Sequence, residues 1–162
     1  MDTHIYNVDI SWNIDRKGIL CSPELNKLTG DCGCIEVATP PEFPKGIPGI
    51  WSPEHLFTAA VSSCLMTTFL AIAENSKLDF ISFQCHSEGK LEKQDGKYLM
   101  TEIILEPKVV IRNETDKEKT ERVLQRSESA CLISNSIKSK ITMKPIIEVL
   151  VEENDFISRW LK

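Results

Sequence analysis

The order of elements in this sequence predicts an α+β domain: alternating strands, a long uncharged helix, a strand hairpin, an amphipathic helix and a final strand. Three observations carry that expectation. The run from Leu56 to Ala73 contains no charged residue, Asp95-Gly96 joins two alternating segments, and apolar residues recur at helical spacing after Thr115. The 162 residues suit one domain spanning 1–162.

Tyr6, Val8, Ile10 and Trp12 alternate with Asn7, Asp9, Ser11 and Asn13, which predicts a half-buried strand. Asp15 to Gly18 reads as a turn, with a returning strand beginning over Ile19–Cys21 and a third over Cys34–Ala38. From Pro40 to Pro53 there are five prolines and two glycines, a composition that sustains neither helix nor ladder and predicts a long, stiffened loop. Loops of that length in a compact domain tend to be functional, although a plain linker has the same composition.

Ser52 is then a good N-cap, Pro53 fits the first helical position, and Glu54 complements the helix dipole. The uncharged run that follows is apolar or small on all sides, so the helix is expected to be buried on most of them. It is too rich in Ser and Thr for a persuasive membrane span, and no stretch reaches about 18 consecutive apolar residues. Strands are expected at Phe80 to Glu92 and Lys97 to Ile111 around the Asp95-Gly96 turn. Thr115 to Glu118 reads as a capping box opening a helix whose stripe is Val123, Leu124, Ser127, Ala130 and Cys131. Ile141 to Val151 is a final strand broken by Pro145, and Asp155 to Lys162 is expected to form a short terminal helix carrying Trp160.

The composition, 41% hydrophobic and 27% charged, is that of a globular chain, which excludes disordered and fibrous classes. Nineteen basic against 24 acidic residues, a net charge of -5, leave no basic footprint for nucleic acid. The six cysteines, Cys21, Cys32, Cys34, Cys64, Cys85 and Cys131, suggest more. The N-terminus lacks a basic segment followed by an apolar run, so a cytoplasmic location is expected, where thiols stay reduced and a cysteine is a core filler, a ligand or a reactive group. Cys85, alternating with Ile81 and Phe83, reads as core. Cys32-Gly33-Cys34 without a Cys-x-x-Cys or paired His is a weak signal for metal, and its role, with that of Cys21, stays open. Cys64 and Cys131 each read, taken singly, as buried small hydrophobes, inert unless a cation reaches them. Of the arginines, Arg122 and Arg126 sit among charges at helical spacing and read as solvated, whereas Arg16 in its turn is free to project into a site. No Ser-His-Asp arrangement is evident.

The segment Gly49-Ile50-Trp51-Ser52-Pro53-Glu54-His55-Leu56 running on to Ser63-Cys64, with the distant Ala130-Cys131-Leu132-Ile133-Ser134-Asn135-Ser136, resembles the osmotically inducible protein C and organic hydroperoxide resistance (OsmC/Ohr) superfamily. Its members share a Pro-Glu-x-Leu helix start, a Cys ten residues after the Glu, as Cys64 follows Glu54 here, and a second Cys before an Ile-Ser-Asn-type stretch. The match departs at Leu132, where proline is common, a departure expected to matter little. The resemblance implies antiparallel sheets around a central buried helix in an intertwined homodimer, and a peroxidase without metal or cofactor that reduces alkyl or fatty-acid hydroperoxides. Carried over, Cys64 attacks the peroxide and becomes a sulfenic acid, Cys131 resolves it as a disulfide, and Glu54 orients the activating arginine. Arg16 is the candidate, at the position of the hydroperoxide-resistance branch; in the other branch the arginine sits on a later strand, and Glu36 to Phe43 has none. A dithiol, lipoyl protein or thioredoxin would return the thiols. His55 reads as structural beside Glu54.

One consequence is geometric. Ten residues of helix rise about 15 Å, so Glu54 and Cys64 of one helix cannot share a small site, and composite sites in a two-fold dimer follow if both serve one reaction. Two rival readings keep the fold without the peroxidase: a binding protein for a lipid-like or small thiol ligand, and a redox-sensing protein.

Overall fold

The structure is a computed structural model that describes residues 3–25 and 33–150. Cys32 and the terminal helix expected over Asp155–Lys162, with Trp160, lie outside the described residues. The chain divides into two compact units, 1–57 and 58–162.

In the first unit β1 (Asp9–Ile14), β2 (Lys17–Cys21) and β3 (Cys34–Ala38) form an antiparallel sheet in sequence order. The β1–β2 turn is Asp15-Arg16, with Asp15 in the left-handed region at φ 49°. Cys21 lies directly opposite Cys34 in the register, with Cα atoms 4.2 Å apart, and the two are joined in a disulfide. Two thiols of the open trio are therefore a cross-strand staple. Reduced cytoplasmic thiols gave no expectation of it, because the pairing depends on a strand register that spacing along the chain does not reveal.

The half-buried reading of β1 is corrected: every one of its residues is exposed in the single chain, Trp12 at 77%. The alternation is real, but no described residue of the first unit covers its apolar side. The proline-rich loop folds back on β3 rather than trailing as a linker. Ala38 donates to the Trp51 carbonyl at 2.8 Å, Ile47 to that of Thr39 at 2.9 Å, and Val37 pairs with Trp51 as an isolated parallel bridge.

Helix α1 (Pro53–Asn75) starts as its residues dictate. The buried Ser52 hydroxyl accepts the His55 amide at 3.3 Å and meets His55 Nδ1 at 2.8 Å, while the Leu56 amide binds the Ser52 carbonyl. It stops in a Schellman motif: Lys77 turns left-handed at φ 49°, its amide binds the Glu74 carbonyl, and the Leu78 amide binds that of Ala73. Val61, Cys64, Leu65, Phe69 and Ala73 are buried as one stripe. In the single chain the expected burial on most sides is partial, since Met66 and Leu70 on the opposite side are exposed. By length and apolar content α1 would suffice to cross a bilayer. Its buried stripe instead joins a protein core, with Phe69 against Phe80 and Phe83 at ring-centroid distances of 5.2 and 4.7 Å.

The second unit's sheet runs β4 (Phe80–Gln94), β5 (Lys97–Ile111), β6 (Lys140–Met143), with β7 (Ile146–Val149) also on β5. The β4–β5 hairpin closes through Asp95 and Gly96 at φ 48° and 80°, a two-residue turn in which both central residues are left-handed. Gly89 marks close packing: a side-chain carbon there would overlap the Thr58 hydroxyl and meet the Met100 methyl at 2.6 Å. Within β5, Ile103, Leu105, Pro107, Val109 and Ile111 are buried alternately. The last expected strand is two short ones flanking Pro145, and both add parallel to β5 in an otherwise antiparallel sheet. Proline lacks the amide a continuous ladder would use.

A bulge near Ile81 shifts the phase of β4, so Phe80 and Phe83 pack toward the core while Ile81 is exposed. Cys85 is half-buried, near the His86 carbonyl and Ser87 hydroxyl at 3.5 Å, not core. Helix α2 (Lys117–Ala130) follows a single 3-10 turn at Glu114–Asp116. The expected capping box is not made, because that turn puts Asp116 in helical conformation at the cap position with no side-chain bond. The buried hydroxyls of Thr120 and Ser127 bond back to the carbonyls of Asp116 and Val123.

Candidate functional site

The end of α2 and the middle of α1 bring two thiols together in the second unit. Cys64 faces inward from α1 and keeps 8% of its surface exposed; Cys131, the C-cap of α2, keeps none. Cys131 leaves the helix in extended conformation (φ -65°, ψ 111°), which ends α2. The ionisation of Cys64 responds to the Cys131 thiol, the backbone of Ile133 and Leu132, and the Thr68 hydroxyl. Thr68 is on hand because residues four apart share a helix face.

Burial by itself would raise the Cys64 pKa. The hydrogen bonds from Cys131, Ile133, Thr68 and Leu132 outweigh it, and the thiol ionises below its ordinary value. Cys131 is pushed the other way, by burial and then by donating to Cys64, which favours its neutral form. The pair is thus differentiated: one thiol is slightly accessible and readily ionised, the other enclosed and protonated. Such a pair has the makings of a nucleophile and a thiol that follows it.

Sequence reasoning found both cysteines but not Thr68, Leu132 or Ile133. The i+4 spacing of Thr68 was available as a signal. The two amides carry none, because a backbone donor belongs to no residue type. The departure at Leu132 leaves a backbone N–H at that position where proline has none.

Arg16 and Glu54 belong to the first unit. Arg16, exposed in the β1–β2 turn, lines a cavity of about 440 Å³ together with Trp12, Val37 and Pro53, one residue before Glu54. Glu54 is half-buried in the first turn of α1. Arg16 and the first turn of α1 thus come to one cavity, Cys64 and Cys131 to one contact.

The model of the family described as "OsmC-like protein" matches residues 46–145. A Bacillus subtilis (strain 168) relative, "Uncharacterized protein YmaD", is 26% identical over 123 residues, 70% of this chain and 82% of that one. The solved structure of an OsmC-like protein of unknown function, VCA0330 from Vibrio cholerae, superposes with a TM-score of 0.77 at 22% identity, covering 89% of this chain and all of the other. An organic hydroperoxide resistance protein OsmC from Legionella pneumophila superposes with a TM-score of 0.70 at 19% identity, over 92% of this chain and 100% of that one.

Proposed function

The chain belongs to the OsmC-like protein family, and from that premise we propose that it is a thiol-dependent peroxidase reducing organic hydroperoxides, with Cys64 as nucleophile and Cys131 as resolving thiol. The observation that carries the proposal is the contact between an activated, slightly exposed Cys64 and an enclosed, protonated Cys131. The Cys64 thiolate attacks the outer peroxide oxygen, the O–O bond breaks, and the alkoxide leaves to take a proton as alcohol. Cys64 is then a sulfenic acid. The Cys131 sulfur displaces its hydroxyl, with the thiol proton leaving in water, and an intramolecular disulfide remains. A dithiol of the lipoyl or thioredoxin class reduces it and is itself oxidised to a disulfide.

Arg16 is proposed as the cation that stabilises the leaving alkoxide, held by Glu54. Both residues would act on the Cys64 of a partner chain, since Glu54 and Cys64 are separated by about 15 Å along α1. The uncovered apolar side of β1 is consistent with such a homodimer. The cytoplasm is the proposed location, where reductants of that class are available. A second reading, binding of a lipid-like ligand without turnover, is favoured by the apolar cavity beside Trp12 and Val37.

Thiol titration before and after an equimolar organic hydroperoxide decides between them. Wild type is expected to lose two thiols rapidly and Cys64→Ser none, while Cys131→Ser stops at the sulfenic acid. Thiol loss that does not depend on Cys64 would sink the peroxidase.

A further inference from the structure

We propose that Cys21 and Cys34 form a second thiol–disulfide exchange site, open to small dithiols and separate from the Cys64–Cys131 pair, rather than a permanent staple. Such a site lies beyond the peroxidase reading and does not depend on it.

Strand pleating decides where the bond lies. Successive residues of a strand face opposite sides of the sheet, and residues directly opposite in the register share a side. Trp12, Gly18 and Val37 make one row across the three strands, and Ile10, Leu20 and Ile35 make another, so one side of the first unit's sheet is apolar. The cavity lined by Arg16 takes Ile10, Trp12 and Val37 from that side. Ser11, Ile19 and Glu36 make a row on the other side, and Asp9, Cys21 and Cys34 the row beyond it. The bond therefore belongs to the polar side, with the Lys17–Glu36 ion pair at 2.6 Å and the exposed Asp9 and Ser11 for neighbours. Both cysteines are half-buried rather than enclosed. Cys21 is the last residue of β2 and Cys34 the first of β3, so a reductant meets the bond at the end of the ladder without parting the strands. Exposed disulfides are more oxidising than enclosed structural ones, and they are the ones that exchange.

The same register makes the couple reversible. The two Cα atoms, 4.2 Å apart, sit near the closer of the two alternating spacings of an antiparallel pair, about 4.5 Å. Four further register pairs, from Lys17 with Ala38 to Leu20 with Ile35, hold β2 on β3, and β1 pairs along the other edge of β2. The sheet thus sets the separation, and after reduction the two thiols stay opposite one another, so the bond re-forms with little reorganisation. In the exchange, one thiolate of the dithiol attacks one sulfur, and the other cysteine leaves as a thiolate and takes a proton. The second thiolate of the dithiol then closes on the first, which releases the remaining cysteine. Two electrons pass to the protein and the dithiol departs as its cyclic disulfide. In the cytoplasm, the location proposed above, a disulfide is as a rule transient and catalytic or redox-sensing.

The probe is dithiothreitol acting on the wild-type chain without denaturant. Samples taken over time are alkylated and digested, and mass spectrometry counts Cys21, Cys34, Cys64 and Cys131 separately, so chemistry at the second pair does not enter the readout. Cys21 and Cys34 are expected to become alkylated together, at a rate within about a hundredfold of that in the urea-unfolded chain, with the β-sheet circular dichroism retained. After removal of the dithiol, oxidised glutathione is expected to restore the same bond. A slower rate in the absence of urea, loss of the sheet signal on reduction, or re-oxidation that fails or pairs either cysteine with Cys32 overturns the proposal. A chain that exchanges at Cys21 and Cys34 yet leaves organic hydroperoxide intact supports the exchange site and defeats the peroxidase.

Discussion

Replacing Thr68 by valine removes one oxygen from the Cys64 environment while keeping the side chain's shape. Thr68 lies one helical turn beyond Cys64 on α1, and its hydroxyl is the side-chain donor that α1 itself supplies to the sulfur. A hydrogen bond to a charged group contributes about 1.5–3 kcal/mol, and about 1.4 kcal/mol corresponds to one pKa unit. Three donors remain, Cys131 and the amides of Ile133 and Leu132, and they take up part of the loss. The expected outcome is therefore a rise. The sign follows from the folded thiol ionising below its ordinary value: the variant needs a higher pH for the same thiolate fraction. The assay is the rate of Cys64 alkylation by iodoacetamide as a function of pH, followed by mass spectrometry so that Cys85 and Cys131 are counted separately. Below the midpoint the variant should react about tenfold more slowly, and well above it at a similar rate. Superimposed pH profiles for wild type and Thr68→Val would refute the claim that hydrogen bonding lowers the Cys64 pKa.

Phe69→Ala, which empties the centre of the aromatic cluster with Phe80 and Phe83, should cost about 4 kcal/mol in denaturant unfolding, with Leu70→Ala, on the exposed side of the same helix, costing under about 1 kcal/mol. Cys21 and Cys34 are separated by 13 positions, so reducing their disulfide should destabilise the first unit by about 3 kcal/mol, read as a lower denaturant midpoint. Glu102, hydrogen-bonded to Lys90 and Thr142, has its carboxyl pKa lowered from 4.5 to about 2. Its contribution to stability is present above its unfolded value and is lost as pH falls toward about 2, and Lys90→Met should return the carboxyl toward its ordinary range by NMR titration.

The legible parts of the fold were those set by local chemistry. Asp95-Gly96 specifies its turn because both positions need left-handed backbone, and Ser52-Pro53-Glu54 specifies a helix start because the caps and the dipole act over a single turn. The misreadings came from long-range partners. Alternation in β1 reports that an apolar side exists, not that anything covers it in one chain, and a run without charge does not say how many sides of α1 are covered. The capping box at Thr115 was displaced by a 3-10 turn, a competition between nearly equal local solutions.

The same division runs through the site. By itself the sequence determined the two cysteines and the helix carrying the first, together with a resemblance specific enough to name the family. That Cys64 and Cys131 touch, that one is activated while the other is held protonated, and that Cys21 closes on Cys34 were decided by tertiary structure alone. The reason is that a pKa reports burial and hydrogen-bond geometry. Two of the four donors to the Cys64 sulfur are backbone amides, which every residue but proline possesses and only a fold can aim.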